Sequence, residues 1–383
     1  MENRKDHVLN PAATNKILVA AQIPPPVGGM SIMVQNLLSG NYKNFQLIYV
    51  PVGLSASIED VTKFRVYKVF RLLKVILDIA VARFKSGARV LYYCPAGSNQ
   101  GSMYRDLLIL FSTRWLFDKT IFHFHAGGVS NLYRRLNFVV RWVFKIVYFY
   151  PDIAIRTSLL APEDGKNLKA IDNYVIPNGI ADQHEETATK YRNRPRPINL
   201  LYVGVLSESK GLLVLIEACA LLKNNGLTFR GAFVGKFEST QFERKCREHI
   251  ERYALSEEIS FPGELQGKEK FRYYAVSDML CFPTFYEDET FGLVLLEAMQ
   301  YELPVIATKW RGIPTVVQDK VNGILIDIKD PVGLADAIEE LVKNSRKRRR
   351  FGLKGREIYL RNFTLDHFHD NIQKCFSTLF VPD

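Results

Sequence analysis

Residues 281–299 read CFPTFYEDETFGLVLLEAM, and this stretch decides the fold. It begins inside Met279–Pro283, a short apolar run with the length and composition of a buried strand. A polar loop follows, and an apolar helical run begins near Gly292. A strand that leads through a loop into a helix is the repeating unit of parallel α/β proteins, so the stretch predicts that fold class.

The loop and the helix also carry candidate ligand-binding groups. Gly292 stands at the helix start, where the backbone can approach a ligand closely and where free N–H groups and the helix dipole favour a phosphate. Glu297 lies within the apolar helical run, where a carboxylate needs partners. Two adjacent ribose hydroxyls would satisfy it, and so would a partner inside the protein. Glu289 is either a ligand for sugar hydroxyls or an ordinary loop carboxylate.

The same alternation of strands and helices extends along the whole chain. In the first half the predicted strands are Lys16–Ala21, Phe45–Val50, Ala88–Cys94, Thr120–Phe124 and Ile153–Arg156. In the second half they are Asn199–Val203, Thr228–Val234, Ile259–Pro262, Met279–Pro283 and Pro304–Ala307. The polar stretch Asn178–Pro197 separates the two sets and is the best candidate for a linker. We therefore expect two Rossmann-like, doubly wound domains that face a cleft, with ligands beyond the carboxyl ends of the strands.

Composition narrows the class of protein. The chain has 383 residues, of which 47% are apolar and 24% charged, as in a globular protein of two domains. Its five cysteines are widely spaced without a C-x-x-C pair, which argues against a disulfide framework or a zinc site. We found no signal peptide and no uncharged run long enough to span a membrane, so we expect a cytoplasmic protein. The net charge of +11 predicts an acidic partner: nucleic acid, an anionic membrane surface or a phosphorylated ligand.

Glu289 and Glu297 bracket seven residues, and this string resembles the E-x7-E element of retaining GT-B glycosyltransferases of family four, the group 1 glycosyltransferases. Further segments resemble that family in the same order, over almost the whole chain: Val175–Ile180, Tyr202–Gly204, Lys210–Gly211, Leu215–Ala218, Pro304–Thr308, Gly312–Pro314, Asn322–Gly323 and Phe363–Leu365. The resemblance implies an acceptor domain over residues 1–180, a linker over 181–197 and a donor-nucleotide domain over 198–361. It also implies a terminal helix, within 362–383, that returns to the first domain.

The resemblance places the donor site mainly in the second domain. Glu289 would orient the sugar, and Lys210 would lie on the donor diphosphate and stabilise the leaving group. The donor-binding set in this domain is Phe291, Gly292, Leu293 and Glu297, with Glu297 on the ribose.

This chain departs from the family pattern beside the phosphates. The family usually has Arg after the Val–Gly of the domain's first strand, whereas this chain has Val205. Arg311 replaces the first Gly of the usual Gly–Gly pair. It would supply the missing phosphate contact or touch the acceptor; otherwise it is an ordinary surface arginine.

Two loops of the first half complete the expected site. Gly28 and Gly29 follow the first strand and resemble the family's glycine loop, whose backbone amides face the donor phosphates and the acceptor; the alternative is a proline-stiffened turn. His123 and His125 point to one face of a strand by alternation. His125, at the strand end, matches the family's histidine beside the donor sugar, while His123 is the better candidate for a structural residue. No third ligand for a His-x-His zinc site is evident, so we expect no metal.

The predicted activity is transfer of a sugar from a nucleotide diphosphate sugar, with UDP favoured, to a saccharide or a lipid-linked saccharide. The resemblance implies retention of configuration, a bacterial surface-polysaccharide pathway and no cofactor, since the nucleotide sugar is a substrate. Two alternatives remain open: a nucleotide-sugar epimerase on the same fold, and a non-catalytic nucleotide-binding protein.

The segment Asp60–Arg89 suggests a further partner. Val66, Val69, Phe70, Leu73, Leu77 and Ala80 recur at helical spacing, with Arg65, Lys68, Arg71 and Lys74 on the other side. Such a helix either lies on an anionic membrane, at the inner face of the plasma membrane, or packs its apolar side into the core. No nucleic-acid-binding motif accompanies the charge, so we expect no nucleic-acid partner.

Overall fold

The computed structural model describes residues 15–53, 66–184 and 197–380, with the backbone alone at 66–68. These residues form two compact units. The first takes the described residues of Met1–Thr157, Pro162–Ile176 and Asp366–Asp383, and the second those of Ser158–Ala161 and Pro177–Leu365. Each contains a six-stranded parallel sheet with helices, so the predicted α/β class is confirmed. Most of the predicted linker, residues 185–196, lies outside the described residues.

The sheet of the first unit has the strand order β2-β1-β3-β4-β5-β6. Its strands are β1 (Asn15–Ala21), β2 (Phe45–Pro51), β3 (Val90–Tyr93), β4 (Lys119–Phe124), β5 (Ile153–Arg156) and β6 (Asp172–Val175). Its helices are α1 (Gly29–Leu38), α2 (Val66–Ser86), α3 (Gln100–Thr113), α4 (Val129–Leu132), α5 (Phe138–Tyr148) and α6 (Asp164–Asn167). The strands β3 and β4 are buried almost throughout, as expected when helices cover both faces of a parallel sheet.

The sheet of the second unit has the strand order β12-β11-β10-β7-β8-β9. Its strands are β7 (Ile198–Val203), β8 (Phe229–Val234), β9 (Ile259–Gly263), β10 (Met279–Phe282), β11 (Val305–Thr308) and β12 (Gly323–Ile326). The helices that follow are α7 (Leu212–Asn224), α8 (Thr240–Arg252), α9 (Gly267–Val276), α10 (Leu293–Gln300), α11 (Pro331–Lys343), α12 (Ser345–Asn362) and the terminal α13 (Leu365–Ser377). The chain order reverses between β10 and β7, which is the topological switch point where doubly wound sheets bind ligands.

The terminal helix α13 packs on the first unit, as predicted. The ring of Phe376 lies 5.5 Å from that of Phe45, centre to centre. The backbone N–H of Lys43 donates to the Gln373 side chain at 2.8 Å. This helix is therefore part of the first unit's core, although it follows the second unit in sequence.

The predicted apolar stripe of the helix α2 does not pack into the core, which was one of its two predicted arrangements. Phe70, Leu73 and Leu77, which the core-packed alternative would bury, are exposed, whereas Val75 and Ile79 are buried. The core-packed reading is therefore wrong for this stripe, because α2 contacts the core through a second apolar line on its opposite side. Of the predicted basic set, Arg65 and the side chain of Lys68 lie outside the described residues. No helix in the described ranges is long and apolar enough to cross a membrane.

Candidate donor-binding site

The loops after β7 and β10 meet at the switch point of the second unit. An added Cβ at Gly211 would lie 2.0 Å from the carbonyl oxygen of Pro283, and Gly211 has φ of +78°. Only glycine tolerates both the contact and the backbone conformation. The N–H of Phe285 also donates to the carbonyl of Ser209 at 2.8 Å. The two loops are thus held against each other, with Lys210 between their contacts.

Lys210 and Glu289, which the sequence analysis assigned separate roles, form an ion pair. The Nζ of Lys210 lies 2.6 Å from Oε2 of Glu289, with side-chain exposures of 20% and 10%. The same ammonium lies 4.5 Å from the ring centre of Tyr286, which adds a cation–π contact. A positive and a negative charge therefore lie together, mostly shielded from water, beyond the ends of the adjacent strands β7 and β10.

Both oxygens of Glu297 have partners inside the protein. Lys270 donates to Oε1 at 2.6 Å, and the Tyr274 hydroxyl donates to Oε2 at 2.7 Å. Glu297 is buried in α10, and both donors lie on α9. Glu297 thus has the internal partners that the alternative to ribose binding requires. Because an ionised carboxylate has about four lone-pair sites, two internal bonds leave capacity for ribose hydroxyls.

Gly292 immediately precedes α10 and lies in the left-handed region, with φ of +82°, where a side chain would be strained. The side chains of the flanking residues, Phe291 and Leu293, pack into the protein and do not point into solvent. The Phe291 ring is buried and lies 5.7 Å from that of Phe363, while Leu293 packs against the same core. At Phe291, Gly292 and Leu293 it is therefore the backbone that could contact a ligand. The buried Phe291 ring holds the loop in place.

Arg311 lies in the loop after β11, in contact with the loop after β10. It has φ of +48°, and its guanidinium carbon lies 5.2 Å from the ring centre of Trp310. The indole N–H of Trp310 donates to the carbonyl of Tyr286 at 2.8 Å. At Gly312 an added Cβ would lie 1.7 Å from the carbonyl oxygen of Thr290, so the two loops touch through backbone. Buried Nε of Arg311 has no hydrogen-bond partner among the described residues.

Val205 is 44% exposed just beyond β7. The departure from the family pattern therefore puts an apolar side chain in solvent at the strand end. The Tyr202 hydroxyl donates to the Val205 carbonyl at 2.8 Å, which fixes the backbone there.

In the first unit, the predicted glycine loop runs into a helix. Gly28 precedes α1, which begins at Gly29. The Gly28 N–H donates to the Ser31 hydroxyl at 3.0 Å, and that hydroxyl lies 3.0 Å from the carbonyl of Pro26. Ser31 thereby ties the loop to the start of the helix.

His125 follows β4, and its ring centre lies 3.9 Å from that of His123. The predicted shared face of the two histidines is confirmed. The Tyr92 hydroxyl is 2.8 Å from Nδ1 of the buried His123. Burial lowers the pKa of His123 well below its usual value and lowers the pKa of His125 to about 3. Both imidazoles are therefore neutral at neutral pH.

Three structural partners were missed by the sequence analysis. Lys270 and Tyr274 hold Glu297, and the only signal was their i, i+4 spacing on one helix face. Asp164 is fully buried and accepts from the N–H groups of Gly128 and Ser130 at 2.7 and 2.8 Å. It fixes the loop that carries His125, and nothing in its local sequence marks it. Among the described residues, no three His, Cys, Asp or Glu side chains are grouped as metal ligands would be.

Two doubly wound parallel domains, with a terminal helix on the first, define a protein of the GT-B fold. Residues 183–358 match the family described as glycosyl transferases group 1. These residues make up a little under half of the chain.

Two relatives and one solved structure also resemble this chain. The chain is 27% identical to O-antigen chain mannosyltransferase C of Escherichia coli, over 54% of either chain. It is 33% identical to the putative colanic acid biosynthesis glycosyltransferase WcaL of Salmonella typhimurium, over 38% of this chain and 36% of the relative. The chain thus spans only about a third to a half of these relatives. The structure of Anabaena HepE in complex with UDP-glucose is 18% identical with a TM-score of 0.71, covers 95% of this chain and 99% of its own, and shows the shared fold alone.

Proposed function

We propose that the protein is a retaining glycosyltransferase that moves a sugar from a nucleotide diphosphate sugar to a saccharide or a lipid-linked saccharide. The observation that carries the proposal is the Lys210–Glu289 pair at the switch point, with Glu297 eight residues further on. UDP is the favoured nucleotide, and the bound UDP-glucose in the HepE structure supports it by fold analogy.

The Lys210–Glu289 pair supplies the two charges that sugar transfer needs. The two charges neutralise each other across 2.6 Å. When a donor binds, Lys210 would turn to the diphosphate, whose negative charge grows as the glycosidic bond breaks. Glu289 would then accept hydrogen bonds from sugar hydroxyls. The α10 N-terminus at Gly292 would add backbone N–H groups on the phosphates.

Glu297 would bind the ribose through the lone pairs that Lys270 and Tyr274 leave unused. These two donors fix the carboxylate before the ligand arrives, so little side-chain freedom is lost on binding. His125 would contact the sugar as a neutral imidazole, because burial keeps its pKa low. A neutral ring can accept or donate one hydrogen bond without repelling positive charge that develops on the sugar.

The acceptor and the location are proposed from the relatives and from charge. The names of the O-antigen and colanic acid relatives favour a bacterial surface polysaccharide. A cytoplasmic protein, peripheral at the inner face of the membrane, would meet both the nucleotide sugar and a lipid-linked acceptor. The net charge of +11 supports such a surface.

The test is release of nucleoside diphosphate from a panel of UDP- and GDP-sugars, with and without saccharide and lipid-linked acceptors. We expect acceptor-dependent release and a product with the anomeric configuration of the donor, read by NMR. An inverted product would contradict retention, and a change of sugar configuration without an acceptor would show an epimerase.

The exposed Val205 favours one second candidate, a non-catalytic nucleotide-binding protein, because a phosphate-binding charge is missing there. Tight nucleotide binding with no turnover across the whole panel would support it. In that case Val205→Arg is the informative variant, since restoring the cation should restore turnover if its loss is the cause.

A further inference from the structure

Three neighbouring helices of the first unit, α2, α3 and α5, turn large apolar side chains outward. We call this surface the aromatic face. It consists of Phe70 and Phe84 on α2, Phe111 on α3, Trp115 in the 3-10 turn Arg114–Leu116 after α3, and Phe138 and Trp142 on α5. Phe138 is 84% exposed and Trp115 is 75% exposed, so these rings are almost fully in solvent. Single exposed apolar residues are ordinary, but six exposed aromatic rings on neighbouring helices mark a candidate interaction surface.

The spacing of apolar residues along α2 gives the helix an apolar side that faces outward. Phe70, Leu73, Leu77 and Phe84 fall on one line of the helix, at intervals of three, four and seven residues. The buried Val75 and Ile79 lie on the opposite line. The helix therefore has one apolar line that packs on the core and a second one that is exposed to solvent.

The helix α5 repeats this arrangement. Phe138, Trp142 and Ile146 are exposed at intervals of four residues, while Phe144 and Val147 are buried on the other side. Burying the outward line against an apolar phase would be favourable by roughly 25 cal/mol per Å² of apolar area.

The positive charge of residues 66–148 indicates which kind of partner this surface would bind. Residues 66–148 contain thirteen Lys and Arg against three Asp and no Glu, so they hold +10 of the chain's net charge of +11. Each of the three acids already faces a cation: Asp78 pairs with Lys74, Asp106 with Arg105 and Asp118 with Arg89. Exposed basic side chains border the aromatic rings on the helices themselves, at Arg71, Lys74, Lys85 and Lys145.

We propose that the aromatic face inserts into the interface of an anionic lipid bilayer, with the bordering Lys and Arg side chains on the lipid headgroups. Aromatic residues beside cations are the pattern of interfacial helices, and Trp prefers the headgroup level. A second copy of the chain fits less well, because pairing two such faces would oppose two strongly positive surfaces. This inference rests on the peripheral location given under the proposed function and names the surface that would bind the membrane. It would hold the enzyme where lipid-linked acceptors lie.

The experiment is co-sedimentation of the full chain with vesicles of phosphatidylglycerol and phosphatidylcholine in equal parts, against vesicles of phosphatidylcholine alone. Wild type should sediment with the anionic vesicles at low salt and much less with the neutral ones. The triple variant Phe84→Gln, Phe138→Gln, Trp142→Gln should lose roughly a thousandfold in partition coefficient, at about tenfold per buried ring. Its matched control is Val332→Gln, Leu353→Gln, Leu360→Gln, three exposed apolar residues of the second unit, which should bind as wild type.

The electrostatic part has its own pair of variants. Lys74→Gln, Lys85→Gln, Lys145→Gln should weaken binding by roughly a hundredfold, since each basic residue near an anionic surface contributes about fivefold. Arg346→Gln, Arg349→Gln, Arg350→Gln, an equal charge change in the second unit, should leave binding unchanged. Binding should also weaken with added salt, because screening shortens the reach of these charges.

The proposal is overturned if wild type stays in the supernatant with anionic vesicles at low salt, or if the aromatic variant sediments as its control does. It is also overturned if light scattering shows a wild-type dimer that the aromatic variant abolishes, which would assign the face to self-association. UDP should still raise the melting temperature of the aromatic variant. That readout separates failure of the membrane proposal from failure of the proposed sugar transfer.

Discussion

Replacing Lys210 by Ala and Glu289 by Gln, singly and together, probes the ion pair at the switch point. The two side chains come from loops after different strands and meet at 2.6 Å. If both serve the same donor sugar and diphosphate, removing either should disable the site. The double variant should then lose little more than the worse single variant, because residues that act as a unit are not additive.

The magnitude follows from burial. Exposed ion pairs contribute up to about 1 kcal/mol, whereas breaking a buried pair costs about 3–5 kcal/mol. With 20% and 10% exposure this pair lies between those limits, so Lys210→Ala should cost about 1–3 kcal/mol by stranding the Glu289 charge. For a unit of this size that lowers the melting temperature by roughly 2–10 °C. Turnover should fall roughly a hundredfold or more with the loss of a preorganised leaving-group contact.

The assay combines thermal melting with initial rates of nucleoside diphosphate release at saturating donor. Glu289→Gln added to Lys210→Ala should recover part of the melting temperature, since it removes the stranded charge, but should recover no turnover. Lys223→Ala is the matched control: its ion pair with Glu258, at 2.7 Å, lies in the same unit away from the candidate site. Additive losses of turnover, or near-normal turnover in Lys210→Ala, would refute the shared role of the pair.

Three further changes test separate parts of the site. Glu297→Gln should weaken UDP binding by roughly tenfold to a hundredfold in calorimetry, through loss of charge-assisted bonds to ribose, with little change in saturated turnover. Equal losses of UDP affinity in Glu297→Gln and Glu289→Gln would contradict their division between ribose and sugar. Arg311→Ala should lower turnover about as much as Lys210→Ala, and a near-normal rate would remove Arg311 from the phosphates. The melting temperature should fall between pH 7 and 5, because the unfolded chain protonates a histidine near pH 6.5 while the lowered pKa of His123 keeps the folded form neutral. The loss is up to about 1.4 kcal/mol per pH unit, and it should shrink in His123→Gln; an unchanged slope in that variant would contradict the assignment.

The central strands could be predicted because they are buried on both faces. All ten predicted strands are present, with ends that differ by at most two residues. The two strands that the analysis missed, β6 and β12, have four residues each and lie at sheet edges. In β6 three of four residues are exposed, so no apolar run marks it.

The candidate site was predictable where its residues are close in sequence. Glu289, Gly292 and Glu297 follow from one strand–loop–helix stretch. The ion pairs that Lys210 and Lys270 make with these carboxylates do not follow, because Lys210 is 79 residues from Glu289 and Lys270 is 27 from Glu297. Contacts between residues so far apart in the sequence depend on the order of the strands in the sheet. Local sequence periodicity gives no information about that order.

The helix α2 shows a different limit. Periodicity identified its apolar stripe but could not say which way the stripe faces, because α2 carries two apolar lines. Phe70 lies on the outward one, at 68% exposure. The orientation of α2 depends on which of its two lines packs on the rest of the core. Val75 and Ile79 are part of that core, so their line faces inward.

The central claim, that this chain binds a nucleotide diphosphate sugar through Glu297 and Lys210, is tested most directly by melting the protein with UDP, GDP and NAD. A ligand that binds only the folded state raises the melting temperature with concentration. UDP, or GDP if the base differs, should raise the melting temperature of wild type and raise it much less in Glu297→Gln, while NAD should have no effect. A shift with NAD and none with either nucleoside diphosphate would contradict the account.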